Sequence, residues 1–207
     1  MQNSLFDPDD SPDHCYRHQL ADASIQEYPK AFSIQESDFY LSKLISDISW
    51  KQDSLKIAGK RVPVPRLQCW MGDPQARYAY SGIQLDPEPW SELVIAIRTR
   101  ICELTGHQFN SALLNYYRHG QDSVAWHADD EKELGPEPVI ASVSFGAERP
   151  MQLKHKHQAG APRYRILLRN GSMILMGKTL QNNWLHQIPK TKSITDPRIN
   201  LTFRTII

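Results

Sequence analysis

The stretch Arg198-Ile-Asn-Leu-Thr-Phe-Arg204 decides the fold class, because polar and apolar side chains alternate along it without a break. Alternate residues of a β-strand point to opposite faces of the sheet. The apolar face must therefore pack on a core. The polar face carries Arg198, Asn200, Thr202 and Arg204. Two arginines inside a β-barrel need anionic partners, since an unpaired buried charge is costly, although an edge strand facing water would show the same pattern.

Short runs rich in β-branched and aromatic residues fill the chain beyond Gly106, separated by Gly, Pro and Asn breaks. The predicted strands are 111–118, 123–127, 139–145, 150–155, 164–168, 172–176, 184–188 and 198–206. Many short strands of this kind favour an antiparallel sandwich or barrel. We therefore predict a mainly β (α+β) fold, namely a double-stranded β-helix or jelly roll.

Two helices are predicted in the first half of the chain. Ser37 and Asp38 offer N-cap chemistry for the first, which shows apolar residues at helical spacing. The second begins after Asp86, with a proline tolerated in its first turn, and Gly106 ends it. Because the helices precede the strands, we expect them to pack on one outer face of the β unit.

The composition of the 207-residue chain is that of a globular protein, with 40% hydrophobic and 23% charged residues and a net charge of +1. Residues 1–30 are interpreted as a loosely ordered arm, and residues 31–207 as a single domain. Three widely spaced cysteines favour reduced thiols and a cytoplasmic protein, or a nuclear one if the source is eukaryotic. No apolar run approaches the roughly 18 residues of a membrane helix, so we predict no membrane partner, and we expect a monomer.

The segment Trp126-His127-Ala128-Asp129 carries the first chemical motif. In an extended chain His127 and Asp129 point to the same side, so an imidazole and a carboxylate are presented together. His186 offers a third ligand. Two histidines and one carboxylate leave positions on a metal open, which suits iron(II). The His-x-Asp pair alone is a weak signal, because a surface histidine beside a solvated aspartate gives the same pattern.

A further predicted strand places Asn115 and Tyr117 on one face, where both offer neutral hydrogen bonds to a carboxylate. An ordinary half-exposed strand would look similar. A dicarboxylate co-substrate would also give the arginines at 198 and 204 their anionic partner, since the planar guanidinium matches a carboxylate bidentately.

The order N-x-Y, H-x-D, S-x-S-F-G, H and R-x-N-x-T-x-R resembles the AlkB family of Fe(II)- and 2-oxoglutarate-dependent dioxygenases. Three stretches are especially similar to the vertebrate DNA-repair AlkB homologues, namely His127–Glu131, Ile140–Ala147 and Pro197–Arg204. The resemblance runs from about residue 55 to the C-terminus, so it covers roughly three quarters of the chain.

The resemblance implies an oxidative dealkylase of nucleic-acid bases. The expected iron ligands are His127, Asp129 and His186, with 2-oxoglutarate and O2 as co-substrates. The expected reaction removes alkyl groups from bases such as 1-methyladenine and 3-methylcytosine in DNA repair. It is coupled to decarboxylation of 2-oxoglutarate to succinate and to release of formaldehyde.

The resemblance also assigns residues to the co-substrate. Arg198 matches the arginine that holds the distal carboxylate of 2-oxoglutarate, with help from Tyr117 and Asn200. Arg204 and Asn115 match residues near the end of 2-oxoglutarate that chelates the metal. Thr202 lies on the same face of its strand as Arg198 and Arg204.

Base-contacting residues follow from the same resemblance. Tyr78 and Tyr80 match a nucleotide-recognition lid at about residues 55–85, although a solvent-facing strand pair is the ordinary alternative. Asp130 and Glu131 are positioned to bind the exocyclic edge of a damaged base, or else form a solvated acidic turn. Arg66 aligns with a DNA-contacting arginine.

One departure from the family concerns strand preference. Duplex-preferring relatives carry an aromatic finger where this chain has Ala58. A methyl group cannot fill the gap that a flipped base leaves, so the cost of unstacking is poorly offset. We therefore expect a preference for single strands, or for duplexes already weakened by a lesion.

Three other functions fit parts of the pattern. An AlkB-type oxygenase acting on RNA or protein would carry the same metal and co-substrate residues. A catalytically inactive nucleic-acid-binding module would have no reason to keep all of them. A sugar-binding jelly roll would not need the alternating arginine strand.

Overall fold

The computed structural model of the chain describes residues 11, 14–57, 59–76, 78–80 and 83–207, with the backbone alone at 55–57, 78–80 and 83–85. Its elements in chain order are β1 (Tyr16–Leu20), β2 (Ala23–Tyr28), α1 (Ile34–Asp47), β3 (Ser54–Ile57), β4 (Lys60–Pro63), β5 (Leu67–Gly72), β6 (Tyr78–Tyr80), β7 (Ile83–Leu85), α2 (Glu92–Thr105), β8 (Ser111–Tyr117), β9 (Val124–His127), β10 (Ile140–Gly146), β11 (Arg149–His155), β12 (Tyr164–Leu168), β13 (Met173–Met176), α3 (Leu180–Asn183), β14 (Trp184–Ile188) and β15 (Arg198–Arg204).

Two antiparallel sheets dominate the described chain. The larger has the strand order β1-β2-β13-β10-β15-β8-β5, and the smaller has the order β12-β11-β14-β9. Strands β3 and β4 form a separate hairpin, as do β6 and β7. Each of the eight strands predicted beyond Gly106 is present, with its ends displaced by no more than a few residues. The mainly β prediction is therefore confirmed.

Two apolar clusters lie on opposite faces of the larger sheet. One joins this sheet to the helices and contains Leu44 of α1, Ile97 of α2 and the apolar side chains of β15. The other fills the space towards the smaller sheet and contains Leu153 and Ile166. The polar side chains of β15 are thus left on the face between the sheets, and the helices cover one outer face as predicted.

Both helices begin at residues other than the predicted ones. Helix α1 starts at Ile34, because Ser33 and Glu36 form a reciprocal capping box, and its cap Ser33 lies four residues before the predicted cap Ser37. Helix α2 starts only at Glu92, where the Ser91 hydroxyl accepts a hydrogen bond from the backbone of the first turn. Gly106 ends α2 in a left-handed conformation, as predicted. None of the described helices is long and apolar enough to cross a membrane.

Residues 16–28 correct the prediction of a loosely ordered arm. They form the hairpin β1–β2, which adds two strands to the larger sheet beside β13. The alternation expected of a strand was not recognised in β2, because Glu27 is buried although a charged residue normally indicates an exposed position. Its carboxylate receives His18 Nε2 at 2.9 Å and Arg169 Nη1 at 2.8 Å, so the buried charge is paired.

The segment predicted as a lid is only partly separate from the sheets. The hairpins β3–β4 and β6–β7 lie within residues 55–85, but so does β5, which is an edge strand of the larger sheet and pairs with β8. The predicted bounds therefore include a core strand. Ala58 lies outside the described residues, and so do the side chains of Tyr78 and Tyr80.

Candidate active site

The two sheets enclose a polar cavity of about 190 Å³ that receives side chains from both. All nine residues predicted for the metal and the co-substrate line it. These are Asn115, Tyr117, His127, Asp129, His186, Arg198, Asn200, Thr202 and Arg204. Apolar side chains close its walls, namely Leu113, Val124, Met151, Leu168, Met176 and Ile188.

A candidate metal-binding group lies in this cavity. The ligand atoms of His127, Asp129 and His186 lie within 4.8 Å of one another. The two histidines are cross-strand partners on β9 and β14, with ring centroids 4.2 Å apart. Asp129 follows β9, and its Oδ1 is 3.6 Å from His127 Nε2. The sequence-predicted triad is thus brought together by strand register.

Both imidazoles are suited to act as neutral ligands. His127 Nδ1 lies 2.9 Å from the Ala125 carbonyl oxygen, to which it donates, so Nε2 keeps its lone pair for a metal. The pKa of His186 is lowered to about 4, mainly by burial and in part by the neighbouring His127. Such a group is neutral near pH 7, as metal coordination requires.

Asp129 is held by contacts from both sheets and from α3. Its backbone N–H donates to Gln181 Oε1 at 2.9 Å, and its carboxylate receives Arg204 Nη2 at 3.1 Å. Burial raises the pKa of Asp129, but Arg204 and the imidazoles of His186 and His127 outweigh it, so the pKa lies below its usual value. The carboxylate is therefore ionised and correctly charged for a cation.

Arg198 lies in the same cavity, 1% exposed. Its Nη2 donates to Ser144 Oγ at 3.0 Å, and its Cζ is 4.9 Å from the centroid of the Tyr117 ring. Nε and Nη1 are buried and have no hydrogen-bond partner among the described residues. A buried guanidinium with two unused donors fits a carboxylate of a bound co-substrate.

Asn200 and Thr202 are engaged with their neighbours. Asn200 Nδ2 donates to Ser142 Oγ at 2.8 Å and to the Val143 carbonyl at 2.9 Å, while its Oδ1 accepts from Thr202 Oγ1 at 3.1 Å. Both amide hydrogens of Asn200 are thus already used, so a carboxylate would have to displace one of these bonds.

Arg66 was predicted from the resemblance to contact DNA, but it lines the cavity. Its side chain is half-buried, and Nε donates to Asn115 Oδ1 at 2.7 Å. The guanidinium is therefore directed at a residue assigned to the co-substrate.

The two acidic residues after Asp129 are placed differently. Glu131 lines the cavity, and its Oε2 is buried without a hydrogen-bond partner among the described residues. Asp130 is exposed, is not part of the cavity wall, and pairs with Lys156 Nζ at 2.8 Å. Only Glu131 is positioned to contact a molecule in the cavity.

Several residues that support the site were not found from the sequence. Ser142 and Ser144 alternate on β10, opposite Thr202 and Asn200 of β15, so their spacing was a usable signal. Gln181 carried no signal, because a single glutamine between two strands has no pattern that indicates burial.

Residues 25–204 match the 2OG-Fe(II) oxygenase superfamily. The chain therefore belongs to this superfamily, whose members use Fe(II), 2-oxoglutarate and O2, and the donor set of the cavity fits these groups.

Two solved structures show the same fold over most of the chain. OsALKBH1 has a TM-score of 0.60 at 13% identity and covers 92% of this chain and 100% of its own. An oxygenase of the family from Burkholderia pseudomallei has a TM-score of 0.57 at 13% identity, with coverage of 87% and 84%.

Relatives similar in sequence include two vertebrate AlkB homologues. The alpha-ketoglutarate-dependent dioxygenase alkB homolog 3 of mouse is 40% identical over 187 residues, covering 86% of this chain and 65% of the relative. The human homolog 3 gives the same identity and coverage. The mouse DNA oxidative demethylase ALKBH2 is 38% identical over 206 residues, covering 95% of this chain and 85% of the relative. The resemblance to the vertebrate AlkB homologues is thereby confirmed, and this chain spans 65% of the length of the homolog 3 proteins.

Proposed function

We propose that the chain removes alkyl groups from N-alkylated nucleic-acid bases, with His127, Asp129 and His186 holding Fe(II) and Arg198 holding 2-oxoglutarate. The observation that carries this proposal is the His-Asp-His group in one cavity with a buried guanidinium that has two unused donors. A carboxylate of 2-oxoglutarate would engage these donors and so offset the cost of burying the charge.

With Fe(II) bound, O2 would be the oxidant: one oxygen atom would enter succinate as 2-oxoglutarate loses CO2, and the other would hydroxylate the N-methyl carbon, which is then released as formaldehyde. The protein's own contribution is positioning. Arg198 binds the carboxylate of the co-substrate that lies away from the metal, so the keto-acid end is directed towards the triad. Arg204 keeps Asp129 ionised and oriented through its 3.1 Å contact. These fixed contacts replace the orientational freedom that the co-substrate has in water.

The proposed substrate class rests on the names of the relatives and on Glu131 in the cavity wall. ALKBH2 of mouse is named a DNA oxidative demethylase. A lesion on the Watson–Crick edge is unreachable inside a stacked pair, so the base must be extruded into a pocket. Glu131, with its buried unpartnered oxygen, is placed to accept from the exocyclic amino group of a base. We propose Tyr78 and Tyr80 as stacking partners, and 1-methyladenine and 3-methylcytosine as substrates.

The proposed partner is nucleic acid, with single strands favoured because Ala58 cannot fill the gap left by an extruded base. DNA and RNA would both present the same modified bases. A parallel assay on matched DNA and RNA strands distinguishes them, and a methylated peptide tests the protein alternative.

The test is turnover on an oligonucleotide with a single 1-methyladenine, following succinate and formaldehyde. We expect both products in equal amounts, and only when iron(II), 2-oxoglutarate and oxygen are all supplied. Tight binding of the oligonucleotide without either product would instead identify an inactive binding module. A methylated peptide that is turned over in preference to both nucleic acids would reject the proposed substrate class.

A further inference from the structure

Two side chains converge on the same oxygen of Asn115. Arg66 Nε donates to Asn115 Oδ1 at 2.7 Å, and Gln68 Nε2 donates to the same atom at 3.0 Å. Gln68 and Asn115 are cross-strand partners on β5 and β8, and both are buried. Arg66 and Asn115 line the cavity, and Gln68 supports Asn115 from the neighbouring strand.

These contacts fix which way the Asn115 amide points. A guanidinium nitrogen can only donate, so the atom of Asn115 that meets Arg66 must be the oxygen. With Oδ1 held from two directions, Nδ2 is turned away from both donors. Asn115 lines the cavity, and Nδ2 has no protein partner among the described residues. The amide therefore presents a donor to an anionic ligand there.

Arg66 is also tied to the strand that carries the metal ligand. Its Nη1 donates to the Ser123 carbonyl at 3.2 Å, and the Ser123 N–H donates to the Pro65 carbonyl at 2.9 Å. Ser123 immediately precedes β9, which ends at His127. The guanidinium thus spans from β8 in the larger sheet to the start of β9 in the smaller one.

We infer that Arg66 and Gln68 are positioning residues that act through Asn115, orienting its amide to donate to the carboxylate of the co-substrate. This inference rests on the proposed function, because it takes 2-oxoglutarate as the ligand of the cavity. It differs from the DNA contact that the resemblance assigned to Arg66, and the experiment below distinguishes the two roles. Both residues act on co-substrate affinity and not on affinity for nucleic acid.

The experiment measures 2-oxoglutarate binding by calorimetry to the full chain loaded with Mn(II), without oxygen or nucleic acid. Binding of a single-stranded methylated oligonucleotide is measured separately by anisotropy. Arg66→Met should weaken 2-oxoglutarate binding by about tenfold, the effect typical of a lost outer-shell partner, and leave oligonucleotide binding within about twofold. Arg165→Met, at an exposed arginine of the smaller sheet, is the matched control and should change neither affinity.

A double-mutant cycle separates positioning from general disruption. If Arg66 acts through Asn115, the pair Arg66→Met with Asn115→Ala should bind 2-oxoglutarate no more weakly than Asn115→Ala alone. Gln68→Met should show the same non-additivity with Asn115→Ala, which keeps the test available if the Arg66 variant does not fold.

Three results would overturn the inference while wild-type protein still binds 2-oxoglutarate. They are additive losses in the cycle, an unchanged affinity for 2-oxoglutarate in Arg66→Met, or a loss of oligonucleotide binding as large as the loss of co-substrate binding. Wild-type protein that does not bind 2-oxoglutarate at all would reject the proposed function itself, so the two failures are distinguishable.

Discussion

The two sheets contribute different chemistry to the cavity. The smaller sheet carries both imidazoles, His127 on β9 and His186 on β14, which are paired across neighbouring strands. The larger sheet carries the residues assigned to the co-substrate, on the adjacent strands β8 and β15. Side chains that link the two sheets include Arg204, which leaves β15 and contacts Asp129 at 3.1 Å, and Arg66, which bonds Asn115 of β8 and the Ser123 carbonyl just before β9.

This division suggests that metal binding and co-substrate binding can be perturbed separately. Each sheet is held by its own backbone ladder, so removal of one side chain leaves the register of the other sheet intact. A change in the smaller sheet should affect the metal first. A change in the larger sheet should affect 2-oxoglutarate first.

The largest effect is expected from His127→Ala. It removes one of the proposed metal ligands, so turnover should fall below detection and Mn(II) affinity should drop sharply, while the circular dichroism spectrum stays that of the wild type. His107→Ala, at an exposed histidine away from the cavity, is the control and should retain full turnover. Substantial turnover by His127→Ala would discredit the ligand assignment.

The corresponding change in the larger sheet is Arg198→Met. Removal of one partner of a buried charge pair costs roughly 2–5 kcal/mol, so 2-oxoglutarate should bind about 100-fold more weakly or worse. Mn(II) affinity should be unchanged. In the absence of co-substrate the thermal midpoint should not fall, because the guanidinium is buried with two unused donors. Calorimetry with each ligand in turn checks this, and equal losses for both ligands would argue against the division between sheets.

A smaller effect is expected from Gln181→Met, which tests the support of the metal group from outside both sheets. Gln181 is 0% exposed and accepts the Asp129 N–H at 2.9 Å. Methionine keeps the length but not the acceptor, so Mn(II) affinity should fall by about tenfold, in the range for outer-shell partners. Gln181→Glu keeps an acceptor oxygen for the Asp129 N–H and should hold Asp129 partly in place. The electron paramagnetic resonance spectrum of bound Mn(II) should then lie closer to that of the wild type than the spectrum of Gln181→Met does. Identical spectra and affinities for wild type and Gln181→Met would show that the contact does not position Asp129.

The larger sheet shows why much of the site could be predicted from the sequence. Strict alternation over Arg198–Arg204 fixes which side chains share a face, and a β-sheet converts that periodicity directly into position. The Ser142 and Ser144 hydroxyls follow the same rule on the neighbouring strand. Asp129 and His127 are close in sequence, so their proximity also followed from local geometry.

Other features depend on pairing between distant segments, which no local pattern specifies. Arg66 precedes Asn115 by nearly fifty residues, and its direction is set by where β5 pairs with β8. Glu27 looked like a residue of a solvated arm until its partners His18 and Arg169 were in place. The helix starts were missed for a different reason, because several Ser and Asp residues competed as caps and only the three-dimensional contacts select one.

The smallest effect is expected at Ala58, which lies outside the residues that the structure describes. Ala58→Phe adds a ring that can fill the gap left by an extruded base, and stacking of this kind is worth about 1–3 kcal/mol. The rate on 1-methyladenine in duplex DNA, relative to the rate in the matching single strand, should therefore rise severalfold. Affinity for Mn(II) and 2-oxoglutarate should stay the same, since none of the residues proposed to hold them is changed. Ala58→Leu is the control, because a branched aliphatic side chain cannot stack as an aromatic ring does. A ratio that is the same for all three proteins would mean that strand preference arises elsewhere in the chain.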